Sequence, residues 1–98
     1  YKRQNDASLT LTNMDSIRGL PRAFGRVLQK ERTRQGLSQE QLGEAIESGN
    51  VYICLLENGQ RQPSLNAVLL LAAKLGIPAE ELVRRVCVEL EKGTDAAP

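Results

Sequence analysis

Seven residues, Gly36 to Leu42, spell a helix stop followed at once by a helix start, and they constrain the chain more than any other stretch. Gly36 supplies the left-handed residue on which a helix can end. Ser38 supplies an oxygen to cap the next helix, Gln41 completes an S-x-x-Q capping box, and Leu37 is placed to staple onto Leu42. A chain punctuated in this way is built from short helices joined by tight turns.

The same grammar recurs on both sides. Pro21 opens a first helix that carries Phe24, Val27 and Leu28 on one face. After the second helix, Glu47-Ser48-Gly49 supplies turn chemistry, and Ile53 and Leu56 then repeat at helical spacing until Gly59. Pro63-Ser64 opens a fourth helix whose stripe of Leu65, Val68, Ala72 and Leu75 is expected to face inward before Gly76 closes it. Pro78 starts a fifth, with Glu80 and Glu81 complementing its N-terminal dipole. Aromatic residues make up 3% of the chain and hydrophobic residues 41%, so the core must be aliphatic, which suits packed helices. The expected fold class is all-α, a bundle of five helices within residues 20–92. Residues 1–19 read as an arm, flexible or strand-like around Leu9-Thr10-Leu11-Thr12, and residues 93–98 as a frayed tail.

The fifth helix is longer than one small core requires, because Ala79, Leu82, Val83, Val86, Cys87 and Leu90 keep a helical stripe to its end. Leu82 and Val83 are expected to meet the other helices. Val86, Cys87 and Leu90, with Val83 and with Leu70 on the fourth helix, are then left to form a homodimer interface; the alternative is that the arm covers them within one chain.

A net charge of +1 says little about partners, but its distribution says more. Residues 1–36 carry Lys2, Arg3, Arg18, Arg22, Arg26, Lys30, Arg32 and Arg34 against Asp6, Asp15 and Glu31, whereas residues 37–60 contain no Lys or Arg. Any basic face must come from the first helix and from Arg61. Cys54 and Cys87 stand apart with no histidine in the chain, so neither a metal site nor a disulfide framework is indicated and no cofactor is expected. No apolar run reaches the roughly 20 residues of a membrane span, and the first residues are polar, so a soluble, cytoplasmic protein is expected. An enzyme is disfavoured. There is no Gly-rich phosphate loop and no activated nucleophile, and Glu40, Glu44 and Glu47 read as a solvated acidic face.

Two short helices on either side of a tight turn, within such a bundle, can hold one helix rigidly in a major groove. With Gly36-Leu37-Ser38-Gln39-x-x-Leu42, Leu56-Glu57-Asn58-Gly59, Pro63-Ser64 and Leu71-Ala72-x-x-Leu75-Gly76-Ile77, the stretch Phe24 to Val83 resembles the XRE helix-turn-helix family of phage repressors and Cro proteins. That family includes the controller proteins of restriction-modification systems. The resemblance implies a lambda-repressor-like fold and a sequence-specific regulator of transcription that binds double-stranded DNA.

By resemblance, the third helix, about residues 49–58, reads base edges through Gly49, Asn50, Val51, Cys54 and Leu55. Asn50 suits adenine, Val51 and Leu55 suit a thymine methyl, and Cys54 is a weak donor. Gln39 matches the family's phosphate-binding glutamine, and Asn58, Gln60 and Arg61 flank the same backbone. Arg32 and Glu57 match a partly buried salt bridge. Three departures stand out: Glu47 replaces the family's turn glycine, Gly43 stands where alanine is usual, and the reading face is apolar. The first implies a strained turn, unless Gly49 lets it form later. Gly43 reads as a close helix crossing. The third keeps open a protein-interaction or antitoxin-like module on the same fold.

Overall fold

The stop and start signals set the helix boundaries. In the computed structural model, which describes residues 17–92, five helices follow one another: α1 (Leu20–Arg34), α2 (Gln39–Ala45), α3 (Gly49–Glu57), α4 (Leu65–Leu75) and α5 (Ala79–Glu91). There is no strand among the described residues. The expected tail, and the arm up to residue 16, lie outside them.

Ser38 caps α2 as its spacing implies: its hydroxyl accepts from the Gln41 amide at 2.9 Å, and the Gln41 side chain accepts from the Ser38 amide at 2.8 Å. Ser64 caps α4 through the Ala67 amide at 3.0 Å. At the end of α1, Gly36 sits at φ 76°, and the Leu37 amide reaches back to the Arg32 carbonyl at 3.1 Å. Only a residue without a β-carbon holds that conformation at little cost, so the chain reverses there and delivers Leu37 to the core.

α1 is the central element and packs against α3 on one side and α5 on the other, while α2 packs on α3 and α4 on α5. Leu28, Leu42, Ile53, Leu56, Leu71 and Leu82 are fully buried, one or two from each helix, with Phe24, Val27 and Val86 around them. Each such side chain contributes about 1.5 to 3 kcal/mol relative to exposure. α1 and α3 cross where a β-carbon on Gly25 would collide with the Leu56 carbonyl and fall 2.7 Å from the Glu57 carbonyl oxygen.

Burial differs from expectation on the last two helices. Leu65 is 73% exposed, and the inward face of α4 runs through Ala67, Leu71, Ala72 and Leu75. On α5 the two valines exchange their expected roles. Leu82, Val86 and Glu89 form the buried line, and Val83, at 48% exposure, lies outside it. Helical rotation of about 100° per residue explains the exchange, since positions four apart share a face and adjacent ones do not. Val86 is therefore part of the chain's own core, and Leu90 packs partly against it.

One buried carboxylate ties three helices together. Glu31 of α1 accepts from Arg34, from Gln35 Nε2 at 2.8 Å and from Arg85 Nη1 of α5 at 2.8 Å, while Gln35 Nε2 also donates to the Leu75 carbonyl at the end of α4. The Arg34 guanidinium is the main cause, opposed by burial and helped by Gln35 and Arg85, that holds the Glu31 carboxyl down at about 2.

Candidate nucleic-acid interface

The turn between α2 and α3 has two left-handed residues. Glu47 has φ 61° and Gly49 φ 82°, so the turn uses the position of the missing family glycine and the later glycine as well. A glutamate in this conformation costs on the order of 1 kcal/mol. The Ser48 amide closes the turn onto the Gly43 carbonyl at 2.9 Å. A β-carbon on Gly43 would collide with the Gly49 carbonyl group and fall 2.8 Å from the Asn50 nitrogen. The close crossing expected of Gly43 is therefore present, and backbone presses on backbone where α3 begins.

Ile53, Leu56 and Glu57 bury the inner face of α3. Gly49, Asn50 and Val51 are exposed, Val51 to 66%, whereas Cys54 and Leu55 are half-buried. Val51 and Leu55 are four residues apart and so form one aliphatic row along the outer face. The Asn58 Nδ2 group donates to Cys54 Sγ at 3.4 Å, so two of the expected DNA-contacting residues engage each other.

Glu57 lies at the junction of three helices. Arg32 Nε donates to its Oε2 at 2.6 Å and Nη2 to its Oε1 at 3.0 Å, the paired geometry expected of a guanidinium and a carboxylate. Arg32 Nη1 also donates to the Leu37 carbonyl at 2.6 Å, and hydrogen bonding to Glu57 raises its pKa above the ordinary arginine value. Gln39 Nε2 donates to the same Glu57 Oε1 at 2.9 Å. Gln39, matched by resemblance to a phosphate-binding glutamine, is half-buried and held by Glu57, with one amide hydrogen and the side-chain oxygen not used in that bond.

Past the end of α3, Asn58, Gln60 and Arg61 are exposed and Gly59 is half-buried. Two neighbours were not picked out as site residues by the sequence. The Arg61 guanidinium carbon lies 5.9 Å from the centre of the Tyr52 ring, within cation–π range. Arg22 of α1 lies against Gly59, its Cα 3.2 Å from where a β-carbon there would be. Arg22 was visible only as one cation of the basic first helix, and no periodicity links Tyr52 to Arg61 across the Gly59 turn. Two cations from distant parts of the sequence thus lie beside α3, Arg22 just past its end and Arg61 over Tyr52.

Among the described residues no cluster of three or more His, Cys, Asp or Glu is placed to hold a metal, and no helix is long and apolar enough to cross a membrane.

A capped helix, a tight turn and a second helix with an outward polar and aliphatic face, set in five helices without a sheet, define a helix-turn-helix protein. The helix-turn-helix family model matches residues 28–82, more than half of the chain, and the chain belongs to that family, in its XRE type. It is 34% identical over 62 residues, 63% of its length and 82% of the relative's, to the uncharacterized HTH-type transcriptional regulator YqaF of Bacillus subtilis (strain 168). It resembles the crystal structure of the restriction-modification controller protein C.AhdI from Aeromonas hydrophila, with 40% identity and a TM-score of 0.61, over 63% of this chain and 94% of that one. The clp gene regulator ClgR from Corynebacterium glutamicum shares the fold at 20% identity, with a TM-score of 0.71 over 79% of this chain and 83% of its own.

Proposed function

We propose that the chain is a sequence-specific DNA-binding regulator of transcription, acting in the cytoplasm as a homodimer, and not an enzyme. The observation that carries this reading is the two-helix unit itself. α3 is fixed by backbone contact at Gly43 and by the Arg32–Glu57 pair, with Asn50 exposed and the row of exposed Val51 and half-buried Leu55 on its outer side. A rigid helix presented in this way fits a major groove, with its first residues at base edges. Gln39 lies at the first turn of α2, Arg22 beside Gly59 just past α3, and Arg61 over the Tyr52 ring of α3, positions suited to phosphates along that groove. The controller C.AhdI and the HTH-type regulator YqaF, both above 30% identity, support the same assignment.

Dimerisation rests on exposed Leu70 of α4 and on Val83 and Cys87, both exposed and four residues apart on one face of α5. A two-fold pairing through this face sets two copies of α3 at adjacent major grooves, roughly 34 Å apart on an inverted repeat.

The exposed Val51, on a unit without Lys or Arg, favours a second reading as a protein-interaction module. Mobility shifts on DNA fragments selected from a random pool, repeated over a range of salt, separate the two. DNA binding gives a steep salt slope, which Arg61→Ala lowers by about one unit. No shift on any selected fragment overturns the regulator reading and favours the second.

A further inference from the structure

We infer that the operator half-site is read through A·T pairs, by the thymine 5-methyl group against Val51 and Leu55 and by the adenine edge against Asn50. The inference rests on the DNA-binding reading and follows from which polar groups the structure has already committed elsewhere. Guanine is most often read by a forked or pointed cation, and cytosine by a carboxylate. No Lys or Arg lies between residues 37 and 60. Among the described residues, the Arg61 guanidinium is taken up over the Tyr52 ring, and Arg22 lies against Gly59, beyond the C-terminal end of α3.

The carboxylate on α3, Glu57, is buried and holds both Arg32 and Gln39, so neither it nor the Gln39 hydrogen given to it is available to a base. Glu47 is exposed but belongs to the turn and not to the helix. Cys54 is half-buried, its sulfur accepts from Asn58, and its S–H is only a weak donor to a base. What remains on the exposed front of α3 is one amide that matches adenine N6 and N7, and an aliphatic row ending in Val51 at 66% exposure. In the major groove the complementary apolar group on a natural base is the thymine methyl.

The test uses the full chain and half-sites selected from a random pool. The expected half-sites carry A·T pairs where α3 enters the groove. Replacing a contacted thymine by deoxyuridine keeps the base pair and removes only the methyl, and it lowers affinity about fourfold per methyl. Val51→Ala or Leu55→Ala shrinks that difference, and Val51→Ser with Leu55→Ser removes it. Replacing the contacted adenine by 7-deazaadenine weakens binding severalfold in the parent chain but not in Asn50→Ala. Circular dichroism checks that each variant keeps its helix content. Selected half-sites dominated by G·C pairs at these positions, or equal affinity for thymine and uracil sites, overturn the inference while leaving specific DNA binding intact. A pool that shows no enrichment at any position overturns the DNA-binding reading itself.

Discussion

Gly43 and Gly49 meet backbone to backbone, so the start of α3 rests on the middle of α2 without a side chain between them. Gly43→Ala therefore brings a methyl group into the Gly49 carbonyl, and α3 has to move to admit it. A destabilisation of about 1 to 3 kcal/mol is expected in urea unfolding, accompanied by weaker binding to selected DNA. Unchanged stability would show that the crossing is looser than this geometry. The neighbouring Glu47→Gly change works in the opposite direction. It relieves a left-handed glutamate and raises stability by up to about 1 kcal/mol, read as a thermal midpoint a few degrees higher.

The Arg32–Glu57 pair is buried on both sides and doubly hydrogen-bonded. Glu57→Ala leaves the Arg32 charge without its carboxylate and costs about 3 to 5 kcal/mol. Replacing both residues by apolar ones of similar volume costs less than the sum of the single changes. A double-mutant cycle measures this directly, and absence of coupling would refute it.

Glu31 predicts the acid limit of the fold. Its carboxyl is held at about 2 in the native state against an ordinary value of 4.5, so the folded state binds the proton less readily than the unfolded one. The resulting stabilisation is fully present above about pH 5 and is lost as the pH falls through 4.5 toward 2. Glu31→Gln is expected to lower stability at neutral pH, and its deficit relative to the parent should shrink across this window. A deficit that stays constant from pH 6 to pH 2.5 would point away from the carboxylate.

The exchange of roles between Val83 and Val86 gives a test of dimerisation. Val83→Glu places a charge on an exposed position and is expected to halve the mass seen by sedimentation equilibrium while leaving helix content unchanged. Val86→Glu instead buries a charge in the core and unfolds the chain. A Val83→Glu protein with unchanged mass would exclude this face as the interface.

Much of this was legible because short helices depend on local chemistry. Gly36, Ser38 and Ser64 act through residues at most five positions away, and the sequence displays those neighbours directly. The Arg32–Glu57 contact spans 25 residues and was found only by family resemblance. Burial on α4 and α5 was less legible, because Leu65, Val83 and Val86 are all apolar and periodicity alone does not decide which apolar line turns inward. The bond from Gln39 to Glu57 was not legible, because the sequence does not show that Glu57 has hydrogen-bonding capacity left after Arg32. The contacts of Tyr52 with Arg61 and of Arg22 with Gly59 are tertiary meetings across a turn, and no local pattern announces them.

Because main-chain atoms set the angle at which α3 leaves the turn, the orientation of that helix is independent of the side chains along its outer row. Asn50, Val51 and Leu55 can thus be exchanged as a set while the scaffold stays as it is. Under the proposed DNA-binding function, recognition is an interchangeable inscription on a fixed mount, and grafting another set of outward residues should transfer target preference without redesign of the bundle.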